Sequence, residues 1–139
     1  SRLMRFFLLI FLMAWNAESA LEYSPGSKNA SLYFISPKHQ EIINGEVSIK
    51  FGLRNFGVSP AGVEVPGTGH HHLIIDAELP PVNQPIRSDK NHVHFGKGQT
   101  EVQLKLEPVS HTLQLLLGDH RHIPHNPAIA SEQITILVH

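Results

Sequence analysis

The chain has 139 residues, of which 41% are apolar and 17% charged, a balance that fits one folded domain with a real hydrophobic core and excludes a disordered chain. The net charge is -1, so no basic field exists to draw in nucleic acid or an anionic membrane surface. Cysteine is absent, and the eleven histidines equal lysine and arginine together. No disulfide can form and no thiolate can act as ligand or nucleophile.

The first nineteen residues have the form of a signal peptide. Arg2 and Arg5 give the positive start, Phe6 to Met13 is an unbroken apolar run, and Ala17 and Ser19 are the small residues a signal peptidase reads. Cleavage is expected after Ser19, leaving residues 20–139 as a single domain that is periplasmic or secreted. The apolar run is too short to span a bilayer comfortably, so no membrane span is expected after cleavage. The remaining chain has nine basic and eleven acidic residues, a net charge of -2. It also contains no sulfur, because Met4 and Met13 are the only methionines.

Short β-like runs then alternate with Gly and Pro punctuation. Leu32 to Ser36 is a first strand, stopped by Pro37. Val47, Ile49, Phe51 and Leu53 alternate with Ser48, Lys50 and Gly52 in a second, the pattern of a half-buried strand. His70 to Asp76 is a third strand and Asn91 to Phe95 a short fourth. Val102, Leu104 and Leu106 mark a fifth, and His111 to Leu117 is apolar enough to be a central sixth. Ile134, Ile136 and Val138 form a seventh. No segment has sustained helical periodicity. The expected fold is an all-β, immunoglobulin-like antiparallel sandwich of about seven strands. Two long proline-bearing loops, 57–69 and 80–90, have the length of functional loops.

The histidines cluster. His70-His71-His72 opens the third strand, His92-Val93-His94 forms the fourth, and His120-Arg121-His122 follows the sixth, with His125 close behind. Residues i and i+2 of a strand share a face, roughly 6.5–7 Å apart, so two imidazoles can converge on one ion and a neighbouring segment can supply the third. His70, His72, His92, His94, His120, His122 and His125 are therefore candidate metal ligands. His71 should face the other way, and His39, His111 and His139 are isolated. Asp76 and Asp119 are candidates to hold an imidazole from behind, and Asp89 is a further carboxylate nearby. Without sulfur, a Cu(I) or blue-copper site is disfavoured. Imidazole and carboxylate suit Cu(II) or Zn(II) first, and also Ni(II), iron or manganese.

These same segments resemble a bacterial family of exported, histidine-rich domains of unknown function. The likeness is carried by Gly69-His70-His71-His72-Leu73, by Asn91-His92-Val93-His94-Phe95-Gly96, and by Leu115 to His125 with its Gly118-Asp119-His120 core. It covers nearly all of the chain after residue 19. It implies an exported β domain and no particular reaction. The reading that follows is a metal-binding protein that captures, buffers or delivers copper or zinc. Its partners would be the ion and a metal-receiving or membrane protein, with no nucleic acid. The alternatives are a metal-dependent hydrolytic or redox enzyme with a histidine-only site, and an interaction domain whose histidines are structural or pH-responsive.

Overall fold

The computed structural model describes residues 9–10 and 21–139. The segment expected to be a signal peptide, residues 1–19, therefore lies outside the described residues, apart from Leu9 and Ile10. Among the described residues there is no helix, and so none long and apolar enough to cross a membrane. The strands are β1 (Ser31–Ser36), β2 (Ile42–Ile43), β3 (Val47–Arg54), β4 (Gly57–Val58), β5 (Thr68–Ile75), β6 (His92–His94), β7 (Glu101–Leu104), β8 (Ser110–Gly118) and β9 (Ile134–Val138).

They form two sheets. One has the order β1-β3-β7; the other runs β2-β9-β8-β5-β4, with β6 also paired to β5. The alternation in β3 places Val47, Ile49 and Phe51 inward and leaves Ser48 and Lys50 exposed. Leu73, Leu113, Leu115, Leu117 and Ile136 of the larger sheet join Leu32, Val47, Ile49 and Phe51 of the smaller one in a single apolar cluster. Burying each such side chain contributes about 1.5–3 kcal/mol, and this cluster is what holds the sheets face to face.

Two expectations are corrected. Among the described residues there are nine strands rather than about seven, because β2 and β4 are two-residue pairings too short to leave a pattern in the sequence. The larger sheet is mixed rather than antiparallel: β2 runs parallel to β9, and β4 parallel to β5. Neither pair is joined by a tight hairpin, and only a hairpin would impose the antiparallel sense.

Strand β5 is the strand that matters for the site. From Gly69 to Ile75 every residue is buried. Its inner face sends His71, Leu73 and Ile75 toward the smaller sheet, His71 lying 4.9 Å from the Phe51 ring. Its outer face, with His70, His72 and Ile74, would meet water in a simple sandwich. Here the chain returns over it: Ile86 from loop 80–90 packs with Ile74 and Leu116, and its N–H donates to the His122 carbonyl.

Candidate metal centre

His70 and His72 stand side by side on the outer face of β5, with ring centroids 4.4 Å apart and no exposure to solvent. The room they occupy comes from β8. Gly118 pairs with His70, and a Cβ placed there would lie 2.5 Å from Cε1 of His72. Glycine leaves space where any side chain would displace the ring.

His122 arrives from the loop after β8. Its backbone is left-handed, at φ 64°, a conformation that costs a non-glycine residue on the order of 1 kcal/mol. Asp119 holds that loop. Its Oδ1 accepts from the N–H groups of Arg121 and Ile123, and its Oδ2 accepts from the Ser24 hydroxyl at 2.8 Å. Burial alone would raise the Asp119 pKa, but the Arg121 N–H, the Ser24 hydroxyl and the Ile123 N–H together hold it below the usual carboxylate range.

The three side chains converge. His122 Nδ1 lies 2.9 Å from His70 Nε2 and 3.3 Å from His72 Nε2. One ligand atom from each of His70, His72 and His122 falls within 4.8 Å of the other two. A hydrogen-bonding account of this trio is poor. One Nδ1 cannot make two well-aligned bonds in its ring plane. Burial, then the charges of neighbouring histidines, lowers the pKa of His70 to about 4 and of His72 to about 2. Burial, then the His94 charge, lowers that of His122 as well. His70 and His72 are therefore neutral at pH 7, and His122 is shifted toward the neutral form, the form that binds metal. Three imidazole nitrogens this close together, at spacings compatible with metal–nitrogen bonds of about 2.0–2.1 Å, can hold a divalent transition-metal ion.

The other candidates are distributed around this trio. His94, paired with His72 across β5 and β6, stands next to it, with ring centroids 4.3 Å from His72 and 4.7 Å from His122. His92 faces Ile74 instead, and its Nδ1 is 2.7 Å from the Asp89 carboxylate. His120 turns toward Glu64, at 3.8 Å. His125 packs edge-on to Phe56 and donates Nε2–H to the Thr68 carbonyl at 3.0 Å. Asp76 is at the far end of β5, bonded to His111 and to the Thr112 N–H. Asp119 acts on the backbone of the His122 loop rather than on an imidazole. Ser24 was not legible as a site residue: it lies 95 positions from Asp119, and nothing in its neighbourhood marks it.

Residues 49–139 match the sequence pattern of a family described as Domain of unknown function (DUF4399). The chain belongs to this family. The DUF4399 region holds all seven candidate histidines, with Asp76 and Asp119, while Ser24, β1 and β2 lie outside it. Neither the curated proteins nor the solved structures contain a significant match to the chain.

Proposed function

We propose that this DUF4399 protein binds one transition-metal ion, Cu(II) or Zn(II), through His70, His72 and His122. Its role is to capture, buffer or deliver that ion outside the cytoplasm. The observation that carries the reading is the convergence of three imidazole nitrogens within 4.8 Å, on two buried rings and one half-buried ring. The wider pool of His92, His94, His120 and His125, with Asp76 and Asp119 behind it, narrows in this proposal to the trio. His92 is bonded to Asp89, His120 lies beside Glu64 and His125 is bonded to the Thr68 carbonyl, so these three are engaged outside the trio.

Export belongs to the same proposal. It rests on the charged start, the apolar run and the small residues Ala17 and Ser19 of the first nineteen residues. A periplasmic or secreted setting supplies the exchangeable copper or zinc, and a metal-receiving protein is the natural partner. We also read the sandwich as immunoglobulin-like. Strands β1, β3 and β7 would stand for A, B and E, and β5, β8 and β9 for C, F and G.

The test is metal content by mass spectrometry on untagged protein recovered from the periplasm without metal-affinity resin. About one equivalent of copper or zinc is expected, lost in His70→Ala/His72→Ala. Wild-type protein that stays metal-free with added Cu(II) and Zn(II) at micromolar levels would end the metal reading. Recovery only from the cytoplasm, with the leader intact, would end the export reading.

A further inference from the structure

Three imidazoles leave a tetrahedral or square-planar ion one ligand short. A fourth imidazole lies beside them. His94 is the cross-strand neighbour of His72, and its ring sits within 4.3 Å and 4.7 Å, centroid to centroid, of two members of the trio. Its Nε2 is 2.7 Å from the carbonyl oxygen of Arg87. A carbonyl only accepts, so Nε2 carries the hydrogen, and in a neutral ring Nδ1 is left with a bare lone pair. This is the usual arrangement of a metal-bound histidine, one nitrogen on the ion and the other N–H on a carbonyl or carboxylate behind it. The neighbouring His70 and His72 have no such outer partner for Nδ1.

We infer that His94 is the fourth ligand, through Nδ1, and that the centre is a closed shell of four imidazoles. The inference rests on the metal reading of the trio. The His94 nitrogen lies outside the mutually close set of three, so metal arrival must draw the ring inward. Strand β6 is suited to that movement: it has three residues and, among the described strands, pairs with β5 alone, on the sheet edge where β4 has stopped. His94 is also the partly exposed ring of this strand's pair, whereas His92 is buried and committed to Asp89. The ion would enter on the His94 side, and His94 would close behind it. Four protein ligands leave no position for water, which suits holding and release rather than hydrolysis.

The experiment is Cu(II) electron paramagnetic resonance on the full chain after leader removal, with one equivalent of Cu(II), for wild type, His94→Ala and His92→Ala. Wild type is expected to show hyperfine coupling to four nitrogens. His94→Ala should still take one Cu(II), show three nitrogens, bind it roughly tenfold or more weakly, and regain a four-nitrogen spectrum with added free imidazole. His92→Ala should keep all four. A wild-type spectrum with three nitrogens, or a His94→Ala spectrum identical to wild type, overturns the His94 assignment and leaves the trio standing. Loss of the fourth nitrogen in His92→Ala in place of His94→Ala overturns it equally. Wild type that takes up no Cu(II) overturns the trio and this inference together.

Discussion

His111 and His72 are buried imidazoles on neighbouring strands of one sheet, and they settle their ring nitrogens in opposite ways. His111 meets two acceptors: Nδ1 is 2.7 Å from the Asp76 carboxylate, and Nε2 is 2.7 Å from the Glu107 carbonyl. Both nitrogens therefore carry hydrogen, and the ring is suited to the imidazolium form. His72 meets no acceptor at Nδ1, and its Nε2 points at the Nδ1 of another histidine. A ring between acceptors holds a proton. Ring nitrogens that face one another suit a larger cation.

Substitution can exchange these roles and so break the comparison. His122→Gly should abolish stoichiometric Cu(II) or Zn(II) binding, a loss of more than about 100-fold in affinity, while the apo protein stays as stable or becomes more so. Glycine relieves the left-handed backbone at residue 122, a gain that can reach about 1 kcal/mol. His111→Ala should do the reverse. Metal affinity would stay within about twofold, and stability would fall by about 1–2 kcal/mol as the hydrogen bonds to Asp76 and Glu107 are lost. Isothermal titration and urea melts, run on both variants, read the two effects separately. A metal-binding defect in His111→Ala with none in His122→Gly would invert the assignment.

A smaller effect tests how closely the trio is fitted. Gly118 does not need glycine for its backbone angle, since its φ is not positive, so alanine there probes space alone. The new Cβ would press on the His72 ring from 2.5 Å. Overpacking of this kind costs about 1–3 kcal/mol; the apo protein relieves it by displacing the His72 ring, and metal binding must bring the ring back, so the strain falls on binding, where about 1.4 kcal/mol is tenfold in affinity. Gly118→Ala should therefore weaken metal binding roughly tenfold. An unchanged titration would mean that the ring can move without disturbing the ion, and that the site is less preformed than its distances imply.

Strand β3 was readable because alternation is local: Val47, Ile49 and Phe51 face in whatever the rest of the chain does. The pairing of His70 with His72 was readable for the same reason. The same rule gave an even-handed reading of the other two His-x-His pairs, and there tertiary structure decided. His92 and His94 do share a strand, but Asp89, three residues earlier, takes the first of them. His120 and His122 lie in a turn, where the left-handed backbone at His122 ends any strand alternation and sends the two rings to different neighbours. Asp76 is also left-handed, at φ 55°, so the face shared by His70 and His72 does not extend to it. That the 119–127 loop folds back over β5, strapped by Ser24, depends on contacts far apart in sequence and has no local signature.

The His111–Asp76 pair makes the smallest and most specific prediction. Burial of the His111 ring opposes its charge, but the bonds to Asp76 and Glu107 outweigh burial and raise its pKa above the ordinary 6.5. A raised pKa means that the folded state binds the proton more tightly than the unfolded state. The stabilisation is then complete below pH 6.5 and fades as pH rises through the folded value. The rings of the trio are shifted the other way and confuse any single pH profile, so the informative quantity is a difference. With chelator present, the stability gap between wild type and His111→Gln should be widest near pH 6 and should narrow by pH 8.5, because glutamine cannot supply the charge at any pH. Urea midpoints at the two pH values suffice to measure it. A gap that widened with pH would show that His111 is held as a neutral ring. The contrast with His72 would then rest on hydrogen-bond partners alone rather than on charge.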